Sequence, residues 1–137
     1  MSQQLIFDTS VWIDFLRNKD IQEVALLTDY IKNNHEVILI PTILQDVLQG
    51  IRNDGHYLRV KDIFSYFTIL QIQPVEAAIG AGELYRSLRK KGLTIRKSND
   101  CLIAYHAIKF SIPLVHLDTD FDVISKHSKL EIWKSRM

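Results

Sequence analysis

Five short apolar runs punctuate the chain: "QLIF", "EVILI", "FTILQI", "IPLVHL" and "LEIW". Each has the length of a strand, and the first two read as buried ones. Helical spacing fills the gaps between them. "DIQEVALLTDYIKNN" puts Ile21, Val24, Ala25, Thr28 and Ile31 on one face, and "TILQDVLQGI" follows Pro41, a residue suited to a first helical turn. "LRVKDIFSYF" is a shorter helix, and "VEAAIGAGELYRSLRKK" a long one with Ala78, Ile79, Gly82 and Tyr85 as its packing stripe. "DCLIAYHAIKF" is apolar nearly all round, which predicts a helix buried on most of its surface. Strands alternating with helices predict an α/β fold of three layers, α/β/α, with a central parallel sheet of four or five strands.

At 137 residues the chain suits one sizeable core, so residues 1–137 read as a single domain without repeat or linker. No apolar run approaches the ~20 residues of a membrane span, and "MSQQ" lacks the features of a signal peptide. Cys101 is the only cysteine, so an internal disulfide and a thiolate metal cluster are excluded. A soluble protein of the reducing cytoplasm is expected.

Net charge is +1, because 17 Lys and Arg nearly cancel 16 Asp and Glu. Distribution says more than the sum. In "RSLRKKGLTIRK" six positions are basic, Arg86, Arg89, Lys90, Lys91, Arg96 and Lys97, and none is acidic. Such a run can be a solvated helix end, with cations favouring the C-terminal dipole and Gly92 as the stop. It can equally bind phosphates.

The acids recur where strands end. Asp8 closes the first run, Asp118 and Asp120 follow "PLVHL", Asp100 begins the buried helix, and Asp46 sits one turn into the helix after "VILIP". Ligands of open parallel sheets bind beyond the carboxyl ends of the strands, so all five can share one edge. Each has a plainer role available. Asp8 or Ser10 can cap a helix, Asp118 can cap the turn "DTDF", Asp100 can favour a helix start after a Ser98 cap, and Asp46 can lie on a solvent face. Several carboxylates at one edge repel one another, however, unless a cation lies among them. Hard oxygen donors without a histidine pair at metal spacing favour magnesium or manganese over zinc. His106 and His116 read as core or supporting residues.

The segments "LIFDTSVWIDFL", "IPTILQDVLQG", "SNDCLIAYHA" and "LVHLDTDFDVI", in this order and spacing, resemble the PIN domain (PilT N-terminus), in particular its compact bacterial toxins of the VapC type. The resemblance implies a Mg- or Mn-dependent endoribonuclease leaving a 5′ phosphate and a 3′ hydroxyl. It implies Asp8, Asp46, Asp100 and Asp118 as catalytic acids, and Asp8, Asp100, Asp118 and Asp120 as metal ligands. Thr9 or Ser10 matches the hydroxyl beside the first acid. One position departs from the family pattern: glutamate usually stands where Asp46 precedes Gly50 by four residues.

Phosphate contacts are then expected from Arg96 and Lys97, with Arg89, Lys90 and Ser10 also touching RNA. The resemblance further implies structured RNA, often transfer or ribosomal, as substrate, a homodimer, and a cognate antitoxin protein in a groove that Trp12, Phe15 and Trp133 could line. An alternative is a catalytically weak PIN module that binds RNA or a protein partner. A phosphotransfer domain of the receiver or dehalogenase type fits poorly, since "DTS" lacks the paired acids of the latter and no lysine follows a late strand.

Overall fold

The structure, a computed structural model, describes residues 2–135. In chain order its elements are β1 (Leu5–Phe7), α1 (Thr9–Leu16), α2 (Gln22–Lys32), β2 (Val37–Leu39), α3 (Pro41–Gln49), α4 (Asp54–Phe64), β3 (Thr68–Ile69), α5 (Pro74–Lys90), α6 (Ser98–Phe110), β4 (Leu114–Val115) and α7 (Thr119–Lys126). The four strands form one parallel sheet in the order β3-β2-β1-β4, flanked by the helices. Strand β1 pairs with β2 on one side and with β4 on the other, so the winding reverses between β1 and β4. That reversal opens a crevice at their carboxyl ends.

β1 and β2 are buried throughout, as their unbroken apolar runs require, and they carry the core with Trp12, Phe64 and Phe121. The run "FTILQI" yields only the two-residue β3, and it is exposed because it forms the sheet edge. "LEIW" gives no full strand; Ile132 makes a single parallel bridge to Leu114.

Two helix faces are rotated from their expected positions. In α2 the buried residues are Val24, Leu27 and Tyr30, whereas Ala25 and Thr28 are exposed. Tyr30 is drawn inward by the ring of Phe7 and donates its hydroxyl to the Gln3 carbonyl at 2.8 Å. In α5 the inner stripe is Ala77, Ala81, Leu84 and Leu88 with Tyr85 partly covered, and Ile79 is 56% exposed. Gly80, not Gly82, is the point of close approach: a Cβ there would stand 2.2 Å from the Tyr105 ring of α6, while none of the described atoms lies within 4 Å of one at Gly82.

Helix α5 stops as expected. Gly92 takes φ +79°, and the amides of Gly92 and Leu93 donate to the carbonyls of Arg89 and Leu88. Helix α4 begins earlier than its apolar pattern, because Asn53 caps it by accepting from the His56 amide. Trp12 departs from the groove-lining expectation. Trp12 is 1% exposed, edge-on to Phe64 at 4.8 Å, and Phe15 and Trp133 pack partly buried against the core, so Trp12 cannot line an open groove. Among the described residues no helix is long and apolar enough to cross a membrane.

Candidate metal centre

Strand β1 delivers Asp8 to the crevice, where its amide donates to the Val115 carbonyl of β4 at 2.9 Å. Its Oδ2 accepts from the Ser10 amide at 3.2 Å and the Ser10 hydroxyl at 2.7 Å, so Asp8 does cap α1. The same residue also lines the crevice. Ser10 serves as a strut: its hydroxyl gives its proton to Asp8 and accepts from the Leu117 amide at 3.3 Å. That hydrogen bonding engages Ser10 internally rather than leaving its proton for RNA.

On the other side of the crevice, "LDTDF" turns into α7, a helix that apolar spacing alone did not reveal. Asp118 caps it, with Oδ1 accepting from the Asp120 amide at 2.9 Å. His116 holds the turn from behind: Nδ1 accepts from the Asp118 amide at 3.0 Å, which leaves the proton on Nε2 for Asp122 Oδ1 at 3.1 Å. His106 is buried with Nδ1 2.9 Å from the Leu102 carbonyl, inside α6. Helix α6 enters from a third direction. Its cap position is Lys97, without a side-chain cap, and Ser98 is already helical, contrary to the expected Ser98 cap. Asp100 is thereby placed in the first turn, 5% exposed.

Asp8, Asp46, Asp100 and Asp118 line one hollow of about 540 Å³, together with Thr9, Ser10, Arg96, Lys97 and Asn99. Within this region Asp100, Asp118 and Asp120 each offer a carboxylate oxygen, all within 4.8 Å of one another. Asp8 and Asp46 line the hollow outside that close group. Asp120 belongs to the close group without lining the hollow, its Oδ2 buried with Arg96 Nε 3.6 Å away. Asp46 is held at a distance by Thr9, whose hydroxyl donates to its Oδ2 at 3.4 Å.

The electrostatics call for a cation. Burial, then the charges of Asp118 and Asp8, push the Asp100 carboxyl up to about 7, with Lys97 opposing. Burial also raises Asp46, with the Asp8 charge adding and hydrogen bonds from Thr9 and Asn99 opposing. For Asp118 burial works upward, but the Asp120 amide, Lys97 and Arg96 outweigh it and hold the carboxyl below its ordinary value. Among the described residues, Oδ2 of Asp100 and Oδ2 of Asp120 are buried without a hydrogen-bond partner. A close group of three carboxylates, two of them with a buried oxygen that no hydrogen bond satisfies, fits a hard divalent ion, which takes oxygen ligands.

The basic stretch divides. Lys97 Nζ lies 3.3 Å from Asp118 Oδ2, and it lines the hollow with Arg96. Arg89 and Lys90 do not line it: both sit in the last turn of α5, with the Arg89 guanidinium 5.8 Å from the Tyr85 ring centre. Asn99 was not singled out from the sequence, whereas His116 was read as a core or supporting residue without its partner being named. Adjacency to Asp100 in "SND" was the available signal for Asn99; for His116 the sequence left the partner open, since the Asp118 amide reaches it only through the turn.

The sequence profile described as PIN domain matches residues 5–127. The chain belongs to the PIN domain family. It is 28% identical over 128 residues to the VapC ribonuclease Mb1587 of Mycobacterium bovis, covering 93% of this chain and 96% of that protein. The PIN fold is shared with VapBC2 from Rickettsia felis, solved bound to a promoter DNA fragment, at a TM-score of 0.73 and 24% identity over 96% of this chain and 100% of that one. A toxin-antitoxin complex from Klebsiella pneumoniae aligns at a TM-score of 0.66 and 20% identity, over 85% of this chain and 89% of that one.

Proposed function

We propose that this PIN protein is a Mg- or Mn-dependent endoribonuclease of the cytoplasm that hydrolyses RNA to 5′-phosphate and 3′-hydroxyl ends. In this reading it is the toxin of a toxin-antitoxin pair and is held in check by a cognate antitoxin. The observation that carries the proposal is the close group Asp100, Asp118 and Asp120 with its two orphaned oxygens at the β1/β4 crevice. The likeness to the VapC ribonuclease of Mycobacterium bovis and to the toxin-antitoxin complex of Klebsiella pneumoniae supports the choice of substrate and setting.

Asp100, Asp118 and Asp120 would hold the ion, with Asp8 beside them. The chemistry such an ion supplies when bound is activation of water and neutralisation of charge on the departing 3′ oxygen. The chain contributes the rest. Arg96 and Lys97 turn from the acids to the phosphates of the strand, supplying the positive charge that an acidic site needs to receive a polyanion. Ser10 and His116 keep Asp8 and Asp118 in place. A binding module without cleavage is favoured by Asp46 alone, the acid that stands outside the close group.

Cleavage of a fluorescent single-stranded RNA in manganese separates the two. Cutting by the parent and not by Asp8→Asn is expected, with 5′-phosphate ends on the products. Retention of RNA binding by a parent chain that never cuts would establish the binding module instead.

A further inference from the structure

Beyond Ile13, which lines the acidic hollow, lies a second hollow of about 230 Å³. The C-terminal end of α1 and the α3–α4 connection form it, with Ile13, Leu16, Val47 and Ile51 as apolar walls and Arg17, Arg52 and His56 as polar ones. Both arginines are exposed, and among the described residues neither guanidinium has an ion-pair partner. This contrasts with Arg96 and Lys97, each of which already faces an aspartate.

We propose that this hollow is a nucleotide subsite: it takes one base of single-stranded RNA next to the bond at the acids, while Arg17 and Arg52 hold that nucleotide's phosphates. The proposal rests on the nuclease reading and extends it to substrate positioning. Three features carry it. The hollow adjoins the acidic site through a shared wall, and Ser10 and Arg17 are only about 10 Å apart along a helical rise. Its walls combine apolar surface with an imidazole and guanidinium planes, the groups on which unstacked RNA bases rest. Its two free cations complement a polyanion that must continue past the acids. Arg96 and Lys97 line the acidic hollow and Arg17 and Arg52 the one that shares Ile13 with it, so a strand running from one hollow to the other meets positive charge in both.

The test compares the parent with Arg17→Gln/Arg52→Gln and with His56→Ala, and uses Lys32→Gln on α2 as a control for charge alone. A fluorescent single-stranded RNA of mixed sequence serves for cleavage in manganese and for binding in chelator. Melting curves of all four chains check the fold. The double variant is expected to raise KM about tenfold and to flatten the salt dependence of binding by one to two in slope, while Lys32→Gln does neither. His56→Ala is expected to change the distribution of cut sites. If the parent cleaves and the double variant matches it in KM, slope and cut sites, the subsite is overturned and the hollow falls to a protein segment. A parent that neither binds nor cleaves RNA overturns the nuclease reading, and the subsite with it.

Discussion

Asp100 lies in the folded protein where a carboxylate is least welcome, and that has a measurable cost in metal-free protein. Its carboxyl is raised from 3.8 to about 7, chiefly by burial and then by Asp118 and Asp8. Between those two values the folded chain binds a proton that the unfolded chain has lost. Stability attributable to this group is therefore greatest below about 4 and falls as pH rises toward about 7. At about 1.4 kcal/mol per pH unit the loss is bounded at about 4 kcal/mol, reached only above the folded value. Asp100→Asn replaces the acid with a neutral group of the same shape. In chelator at pH 8, the variant should be more stable than the parent by on the order of 2 to 4 kcal/mol; at pH 4 the two should nearly coincide. Urea unfolding of both chains at each pH is the assay. Millimolar manganese at pH 8 should reverse the order, because a ligand bound to the native state alone stabilises the parent and finds one oxygen fewer in the variant. A variant that is no more stable than the parent in chelator at pH 8 refutes the reasoning, since the site then carries no electrostatic strain for an ion to relieve.

Because Arg96 and Lys97 face the acids in the metal-free site, Arg96→Gln/Lys97→Gln should tighten manganese binding while weakening RNA binding and lowering its salt slope by about one to two, read by calorimetry and anisotropy. Equal manganese affinity in variant and parent would show that the cations do not compete with the ion. Asp46→Glu lengthens by one methylene an acid that lies outside the close group, so manganese affinity and RNA cleavage should hold or rise; loss of cleavage with the fold intact would show direct contact by the shorter acid. Gly80→Ala drives a Cβ to 2.2 Å from the Tyr105 ring and should cost about 1 kcal/mol or more in urea unfolding, with the cost relieved when Tyr105→Ala is added. A Gly80→Ala chain as stable as the parent would mean that the ring swings aside freely.

The parallel α/β architecture was legible because period and length are local properties: buried runs such as "LIF" and "VIL" have few other fates, and Pro41 and Gly92 mark helix ends through their own backbone restrictions. The co-location of Asp8, Asp46 and Asp118 was legible for a related reason. In a parallel sheet strand ends share one edge, so position in the chain predicts position in space. Which face of α2 and α5 turns inward was not legible, because it depends on single partners far along the chain, Gln3 for Tyr30 and Tyr105 for Gly80. Nor could the sequence rank the acids. Only the packing of α6 against the β1/β4 crevice brings Asp100 within 4.8 Å of Asp118 and Asp120 and leaves Asp8 to its cap, since carboxylate spacing over a hundred residues of chain is decided by tertiary contacts and not by pattern.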